Sequence, residues 1–190
     1  FADVYEYVSD PATMRVKPSE MIDKEYLKQR AKLIDMKKAK TPVFGQPSKG
    51  GTVYLTAADE SGMMVSFIQS NFSGFGSGVV VPGTGISLQN RGSGFSVKPD
   101  HANVVAPRKR PFHTIIPGFA MDLEGNPLMA FGLMGGPIQA QGHLQLALRI
   151  LGYGQNPQPA ADAPRWRIDA GRRVGIEPGT DSALIEYLRA

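Results

Sequence analysis

Gly50-Gly51-Thr52-Val53-Tyr54-Leu55-Thr56-Ala57-Ala58-Asp59 joins a glycine pair to a segment of β character that opens on threonine. β-branched and aromatic residues suit a pleated strand, and the glycines leave the backbone ahead of it free to take unusual conformations. A threonine hydroxyl is a poor nucleophile unless a base stands beside it. One recurrent solution makes the threonine the first residue of a chain, so that its own α-amino group takes the proton. That amine titrates at about 7.7–8.0 in peptides, close to working pH. Such a terminus requires scission of the Gly51–Thr52 bond. Glycine on the acyl side of that bond neither blocks attack by the Thr52 hydroxyl nor resists a strained backbone.

Outward from this stretch, Thr52 to Asp59 and Met63 to Ser70 alternate about Asp59-Glu60-Ser61-Gly62, which predicts a β-hairpin. Gly118 to Leu123 and Pro127 to Met134, flanking Glu124-Gly125-Asn126, predict another. Gly135-Gly136-Pro137 follows, then a helix to about Leu151, with Pro137 near its first turn and Ile138, Leu144, Leu148 and Leu151 on its apolar face. Two glycines where a strand meets a helix N-terminus present backbone N–H groups to an anion. Glycine-rich Gly74 to Gly94 is broken by expected strands at Val79 to Val81 and Ile86 to Leu88. Upstream, Phe1 to Pro11 contains the turn-forming Tyr7-Val8-Ser9-Asp10-Pro11 and precedes a helical pattern from Glu20 to Lys37 whose inward face is Ile22, Tyr26, Leu27, Ala31, Leu33 and Ile34. Lys38 to Gly51 reads as a linker. Beyond Gly154 the pattern gives a short helix, a strand near Val174 to Ile176, and a helix capped by Asp181 with Leu184, Ile185 and Leu188 inward.

Composition removes several function classes. The 190 residues carry a net charge of +4, but the basic residues are scattered through Lys37-Lys38, Arg108-Lys109-Arg110, Arg165 to Arg167 and Arg172-Arg173. No stripe or interleaved aromatics accompany them, so nucleic acid is not an expected partner. No apolar run reaches the roughly 20 residues a membrane span needs. Without cysteine the chain has no disulfide, thiolate metal site or cysteine nucleophile. His101, His113 and His143 lack the short spacings of zinc motifs, and no metal is expected. Gly45-Gln46-Pro47-Ser48-Lys49-Gly50-Gly51-Thr52 approaches a phosphate-binding loop, yet glycine stands where its lysine is required and a strand follows where its helix should start.

Thr52 to Gly62, Val65-Ser66-Phe67-Ile68-Gln69-Ser70-Asn71, Phe75-Gly76-Ser77-Gly78, Gly85 to Asn90 and Leu133-Met134-Gly135-Gly136 together resemble the small chain of γ-glutamyltransferases. These are N-terminal-nucleophile (Ntn) hydrolases that cut themselves in front of the catalytic threonine. The resemblance implies an α+β fold, the four-layer αββα sandwich of two antiparallel sheets between helix layers. It implies that residues 1–51 end a large chain and lead to the cleavage site, and that 52–190 belong to the small catalytic chain, which continues downstream. Thr52 would be the nucleophile, Ser70 a second hydroxyl orienting it, and Gly135 and Gly136 the oxyanion hole. Asn71, His113 and Thr114 would lie at or near positions that bind the donor's carboxylate. Expected partners are a small-molecule acyl donor, water or an amine acceptor, and the large chain of the same precursor, with no cofactor.

One block departs from the family. Arg91-Gly92-Ser93-Gly94-Phe95 has no acid where the family places the residue that holds the donor's α-amino group. The main expectation is a γ-glutamyltransferase-like hydrolase or acyltransferase acting on γ-glutamyl amides such as glutathione. The missing acid favours a glutaryl or cephalosporin-type acylase with the same machinery. A reading of another class is an uncut, non-catalytic precursor or scaffold. Cytoplasmic and periplasmic or secreted locations both remain open.

Overall fold

The computed structural model describes residues 2–34, 37, 51–169 and 171–189. The chain divides into two compact units, one of Phe1–Gln46, Phe75–His113 and Asp169–Arg173, the other of Pro47–Gly74, Thr114–Ile168 and Val174–Ala190. In the first, α1 (Ala2–Tyr7) meets the stretch expected to turn only at Tyr7, and a bend at Ser9 and a turn at residues 11–13 follow. The helix expected from Glu20 to Lys37 is instead two, α2 (Pro18–Met21) and α3 (Lys24–Ala31). Asp23 breaks it. Its carboxylate accepts the N–H groups of Glu25 and Tyr26 at 3.0 and 2.9 Å, so it serves better as an N-cap than inside a continuous helix. Ile22, Leu27, Leu33 and Ile34, expected inward, are exposed, while Tyr26 is half-buried and donates its hydroxyl to Asp3 at 3.0 Å.

Elsewhere in this unit, side chains replace a hydrophobic core as fasteners. Buried Asp10 accepts the backbone N–H of Ala12, and the backbone and guanidinium of Arg110. These bonds hold its carboxyl below the usual range. Buried Asn103 donates to the Gly94 carbonyl and accepts from the Phe112 N–H, both at 2.9 Å. The two strands expected in the glycine-rich stretch reduce to one bridge, Val80 with Ser87, extended by backbone bonds from Ser77 to Leu88 and from Val81 to Ile86. A 3-10 turn, Arg91–Gly94, follows.

The second unit is built from hairpins. β1 (Gly51–Ala58) pairs antiparallel with β2 (Met64–Phe72), Thr52 facing Ser70 and Ala58 facing Met64. Asp59 closes the turn by accepting the N–H groups of Ser61 and Met63 and the Ser61 hydroxyl, and Gly62 supplies a φ of 84°. β3 (Gly118–Met121) pairs with β4 (Pro127–Phe131) around an Asp122-centred turn of the same kind. The Ser66 hydroxyl on β2 donates to the Gly118 carbonyl at 2.8 Å and ties the two hairpins together. The rest of the expected linker before Gly51, including Gly45 to Gly50 of the stretch resembling a phosphate loop, lies outside the described residues.

α4 (Ile138–Ala147) has the expected extent and continues as a π-helical turn, Leu148–Gly152. Its buried face is not the expected one. Leu144, Leu148 and Leu151 are exposed, whereas Gln139, Gln141, Gly142 and Gln145 are buried. The reason lies in the next elements, α5 (Pro157–Asp162), then β5 (Trp166–Ile168) paired with β6 (Val174–Ile176). The carboxamide of Gln145 accepts the Trp166 N–H at 3.0 Å and donates to the Trp166 carbonyl at 2.8 Å. Gln141 does the same for Ile168, at 2.7 and 3.1 Å. Four residues of helix rise about 6 Å and two of strand about 6.6 Å, so glutamines at i and i+4 match alternate strand residues. They act as a substitute strand along the β5 edge, where an unmade backbone bond would be costly. α6 (Ser182–Arg189) is capped by Asp181, which accepts the Ala183 N–H. Leu184 and Leu188 line a cavity of about 570 Å³ with Trp166, Ile168, Val174 and Ile176 rather than closing a tight core.

Candidate active site

β-Pairing places Thr52 and Ser70 side by side. Both are half-buried, and the Thr52 hydroxyl donates to Ser70 Oγ at 3.1 Å. Ser70 Oγ also accepts the Phe72 N–H at 2.9 Å, which fixes the serine rotamer over the bend of its own strand. That bend is a β-bulge. The register shifts between Gly51 and Thr52, so that Gly51 faces Phe72 and Asn71 is the extra residue. Phe72 takes a φ of 74°, a left-handed conformation unfavourable for a bulky side chain. The Gly51–Thr52 bond therefore sits at the irregular step of an otherwise regular ladder, beside two bonded hydroxyls and the half-buried Asn71.

Gly135 and Gly136 have φ values of 117° and 68°, conformations glycine adopts without strain. A Cβ on Gly135 would also lie 2.7 Å from the Ile138 side chain. The pair turns the chain from β4 into α4, whose start is closed by the Gln139 N–H bonding the Gly136 carbonyl at 3.0 Å. Thr114 is buried in the same unit. Thr52, Ser70, Asn71, Thr114, Gly135 and Gly136 thus all belong to the second unit, and Thr52 and Ser70 touch directly.

Arg91 and His113 belong to the first unit. Arg91 is 3% exposed, and loss of solvation pulls its pKa down. Its guanidinium nevertheless remains a cation at neutral pH. His113 keeps an exposed ring, but desolvation first and the nearby Arg91 charge second hold its pKa below the ordinary histidine value. It is therefore mainly neutral at pH 7, able to give a hydrogen bond but not the positive charge a carboxylate would prefer. Among the described residues no three His, Asp or Glu side chains cluster as metal ligands, and no helix is long and apolar enough to cross a membrane.

Sequence reasoning missed Ser66, Gln141 and Gln145. A serine alternating with Ser70 on the Thr52-facing side of β2, and two glutamines spaced four apart, were the available signals.

The Gamma-glutamyltranspeptidase family model matches residues 1–190. The chain belongs to this family. As a member of the γ-glutamyltranspeptidase family it is 40% identical over 166 residues to the glutathione hydrolase-like YwrD proenzyme of Bacillus subtilis, covering 87% of this chain and 31% of that protein. It is 39% identical over 180 residues to the oxamate amidohydrolase proenzyme of Klebsiella pneumoniae, covering 95% and 33%. The crystal structure of cephalosporin acylase from Bacillus halodurans superposes with a TM-score of 0.90 at 47% identity, over all of this chain and 34% of that one. The chain spans about a third of the length of the curated relatives it matches. Its fold is that of the Ntn hydrolases, helices combined with antiparallel sheets.

Proposed function

We propose that the complete protein is an amide hydrolase or acyltransferase of the γ-glutamyltransferase type whose nucleophile is Thr52, exposed by self-cleavage. The observation that carries this reading is the Thr52–Ser70 hydroxyl pair, 3.1 Å apart, at a bulged Gly51–Thr52 step. The division follows from it: residues 1–51 end the large chain and 52–190 belong to the small one. In maturation the Thr52 hydroxyl attacks the Gly51 carbonyl, the C–N bond breaks, and an ester forms with release of the Thr52 amine. Water then hydrolyses that ester, leaving the Gly51 carboxylate. In turnover the same oxygen attacks the donor's amide carbonyl, its proton passes through the Thr52 amine to the leaving amine, and the acyl group is held as an ester. Water or an amine acceptor releases it.

Ser70 orients the attacking hydroxyl, and the backbone N–H groups of Gly135 and Gly136 stabilise the oxyanion. Asn71 and Thr114 are proposed to bond the donor's carboxylate, and His113 to give it a hydrogen bond, as the resemblance implies for their sequence positions. No step calls for a metal or organic cofactor.

Intact-mass measurement with terminal sequencing on the complete protein tests the mechanism. Wild type should yield two chains, one beginning at Thr52, and Thr52→Ala a single inactive chain. A single uncut chain with full turnover would overturn the mechanism, and a single uncut chain without turnover would favour the scaffold reading.

A second reading concerns the donor. Relatives include a cephalosporin acylase and an oxamate amidohydrolase as well as a glutathione hydrolase-like protein. The absence of an acid in Arg91-Gly92-Ser93-Gly94, with a buried cation there instead, favours donors lacking an α-amino group. An ammonium without its counter-charge loses a bond of about 1.5–3 kcal/mol. A γ-glutamyl anilide and the matching glutaryl anilide should therefore differ little in kcat/KM, or favour the glutaryl compound. A hundredfold preference for the γ-glutamyl donor would remove this second reading and leave the first.

A further inference from the structure

Gly132 lies on the strand exit three residues before Gly135, and its φ is not positive, so the backbone does not require glycine there. Space does. A Cβ built on Gly132 would fall 2.3 Å from Cδ2, 2.4 Å from Cε2 and 2.8 Å from Cγ of Tyr54. The tyrosine ring is thus pressed against the Gly132 backbone. Tyr54 follows Thr52 by two residues, on the same half-buried side of β1. One rigid aromatic ring therefore separates the strand that carries the nucleophile from the segment that runs into the glycine turn.

The ring cannot yield easily. Its hydroxyl bonds Ser66 Oγ at 3.0 Å, and Ser66 in turn donates to the Gly118 carbonyl at 2.8 Å, so the far end of the side chain is anchored to β2 and β3. A comparable approach one residue on behaves differently. A Cβ on Gly142 of α4 would meet Leu133 Cδ1 at 2.2 Å, but that methyl ends a flexible side chain and a rotamer change relieves it. The Tyr54–Gly132 contact, by contrast, sets backbone against a rigid ring held at its far end.

We propose that Tyr54 and Gly132 are positioning residues for the reaction above: the ring, seated on a residue without a side chain, sets the separation between the Thr52 hydroxyl and the Gly135–Gly136 turn. The inference rests on the reading of Thr52 as nucleophile and of the glycine pair as oxyanion donors. Its physical basis is that a displacement of about 1 Å between reacting groups can cost on the order of a hundredfold in rate.

The test uses the complete, processed protein with a chromogenic amide donor, and normalises rates to folded protein. Gly132→Ala should lower kcat about ten- to a hundredfold with KM within about twofold, and slow the appearance of the new Thr52 terminus. Adding Tyr54→Leu, which removes the ring the new methyl meets, should recover a large part of that loss. Tyr54→Phe, which keeps the ring and drops only the hydroxyl bond, should cost less than Gly132→Ala.

A folded Gly132→Ala protein with wild-type kcat overturns the proposal, as does a double variant no better than the single. So does a melting temperature that falls while kcat per folded molecule is unchanged, since that marks packing alone. If Gly132→Ala does not fold, Tyr54→Leu by itself decides: widening the gap should lower kcat at unchanged KM, and an unchanged kcat overturns the spacer. Thr52→Ala is measured alongside. Turnover by that variant would refute the nucleophile, whereas a dead Thr52→Ala with a normal Gly132→Ala refutes only the spacer.

Discussion

Thr52 and the Gly135–Gly136 turn are held by different means. Thr52 is one rung of a continuous antiparallel ladder, and its partner Ser70 is delivered by register alone. The glycine turn has no ladder of its own and takes its place from what presses on it: the Tyr54 ring before it and α4 after it. α4 in turn is fastened to β5 through the amides of Gln141 and Gln145. The contrast is between a side chain positioned by backbone periodicity and a backbone positioned by side chains. The first survives most surface substitutions. The second depends on a few residues, each open to mutation.

The largest expected effect comes from attacking the turn itself. Gly136→Val in the complete protein removes a conformation that valine cannot adopt and should lower kcat about 100- to 1000-fold, the worth of one oxyanion donor at roughly 2.7–4 kcal/mol. Near-normal turnover by the folded variant would show that the pair is only a chain reversal. A smaller effect, on stability, should follow from Gln145→Ala, which leaves the N–H and carbonyl of Trp166 without their side-chain partners. The cost should be about 1–3 kcal/mol in denaturant unfolding. Gln145→Leu should be no better, because bulk does not replace the amide. If Gln145→Leu matches wild type, the strand-mimic account of α4 fails.

The smallest effect concerns pH. His143 is half-buried on α4, edge-on to Phe131 with ring centroids 5.2 Å apart, and burial holds its pKa below the ordinary value. The folded state therefore prefers the neutral ring. Stability on this account is intact above the unfolded value, about 6.5, and declines as pH falls from there through the lower folded value, below which the loss is complete. Denaturant titrations between pH 8 and pH 5 should show that decline, and His143→Gln should reduce it, leaving the part that belongs to His113, whose pKa is also held low. An unchanged slope would mean that another group is responsible. Asp10, whose carboxyl is held low by its bonds to Ala12 and Arg110, acts in a separate window, losing its contribution only as pH falls below the carboxylate range.

Both hairpins were legible because alternation and the turn signals at Asp59 and Glu124 to Asn126 are local. The placing of Ser70 beside Thr52 came from the resemblance to the family, and the observed register pairs the two residues. The extent of α4 was legible too, but not its face, because leucines at helical spacing said nothing about a strand edge needing amide partners. Asp23 could have shown the break between α2 and α3, since aspartate favours a cap over a helix interior. The Tyr54–Gly132 approach joins residues far apart in the chain, and no window of sequence contains it.

The Asp59 turn has a consequence for timing. Its bonds to Ser61 and Met63 span only a few residues, and the ladder they close runs from Gly51 to Phe72, so the contacts that assemble the two hydroxyls are short in sequence. Hairpins of this kind form in about 1–10 μs, while a ribosome adds about 5–20 residues per second. During synthesis, then, Thr52 and Ser70 can meet seconds before Gly135 and Gly136 have been made. Under the proposed function, that interval keeps the nascent chain in one piece: the attacking group is ready early, and the group that would stabilise the oxyanion of its attack arrives late.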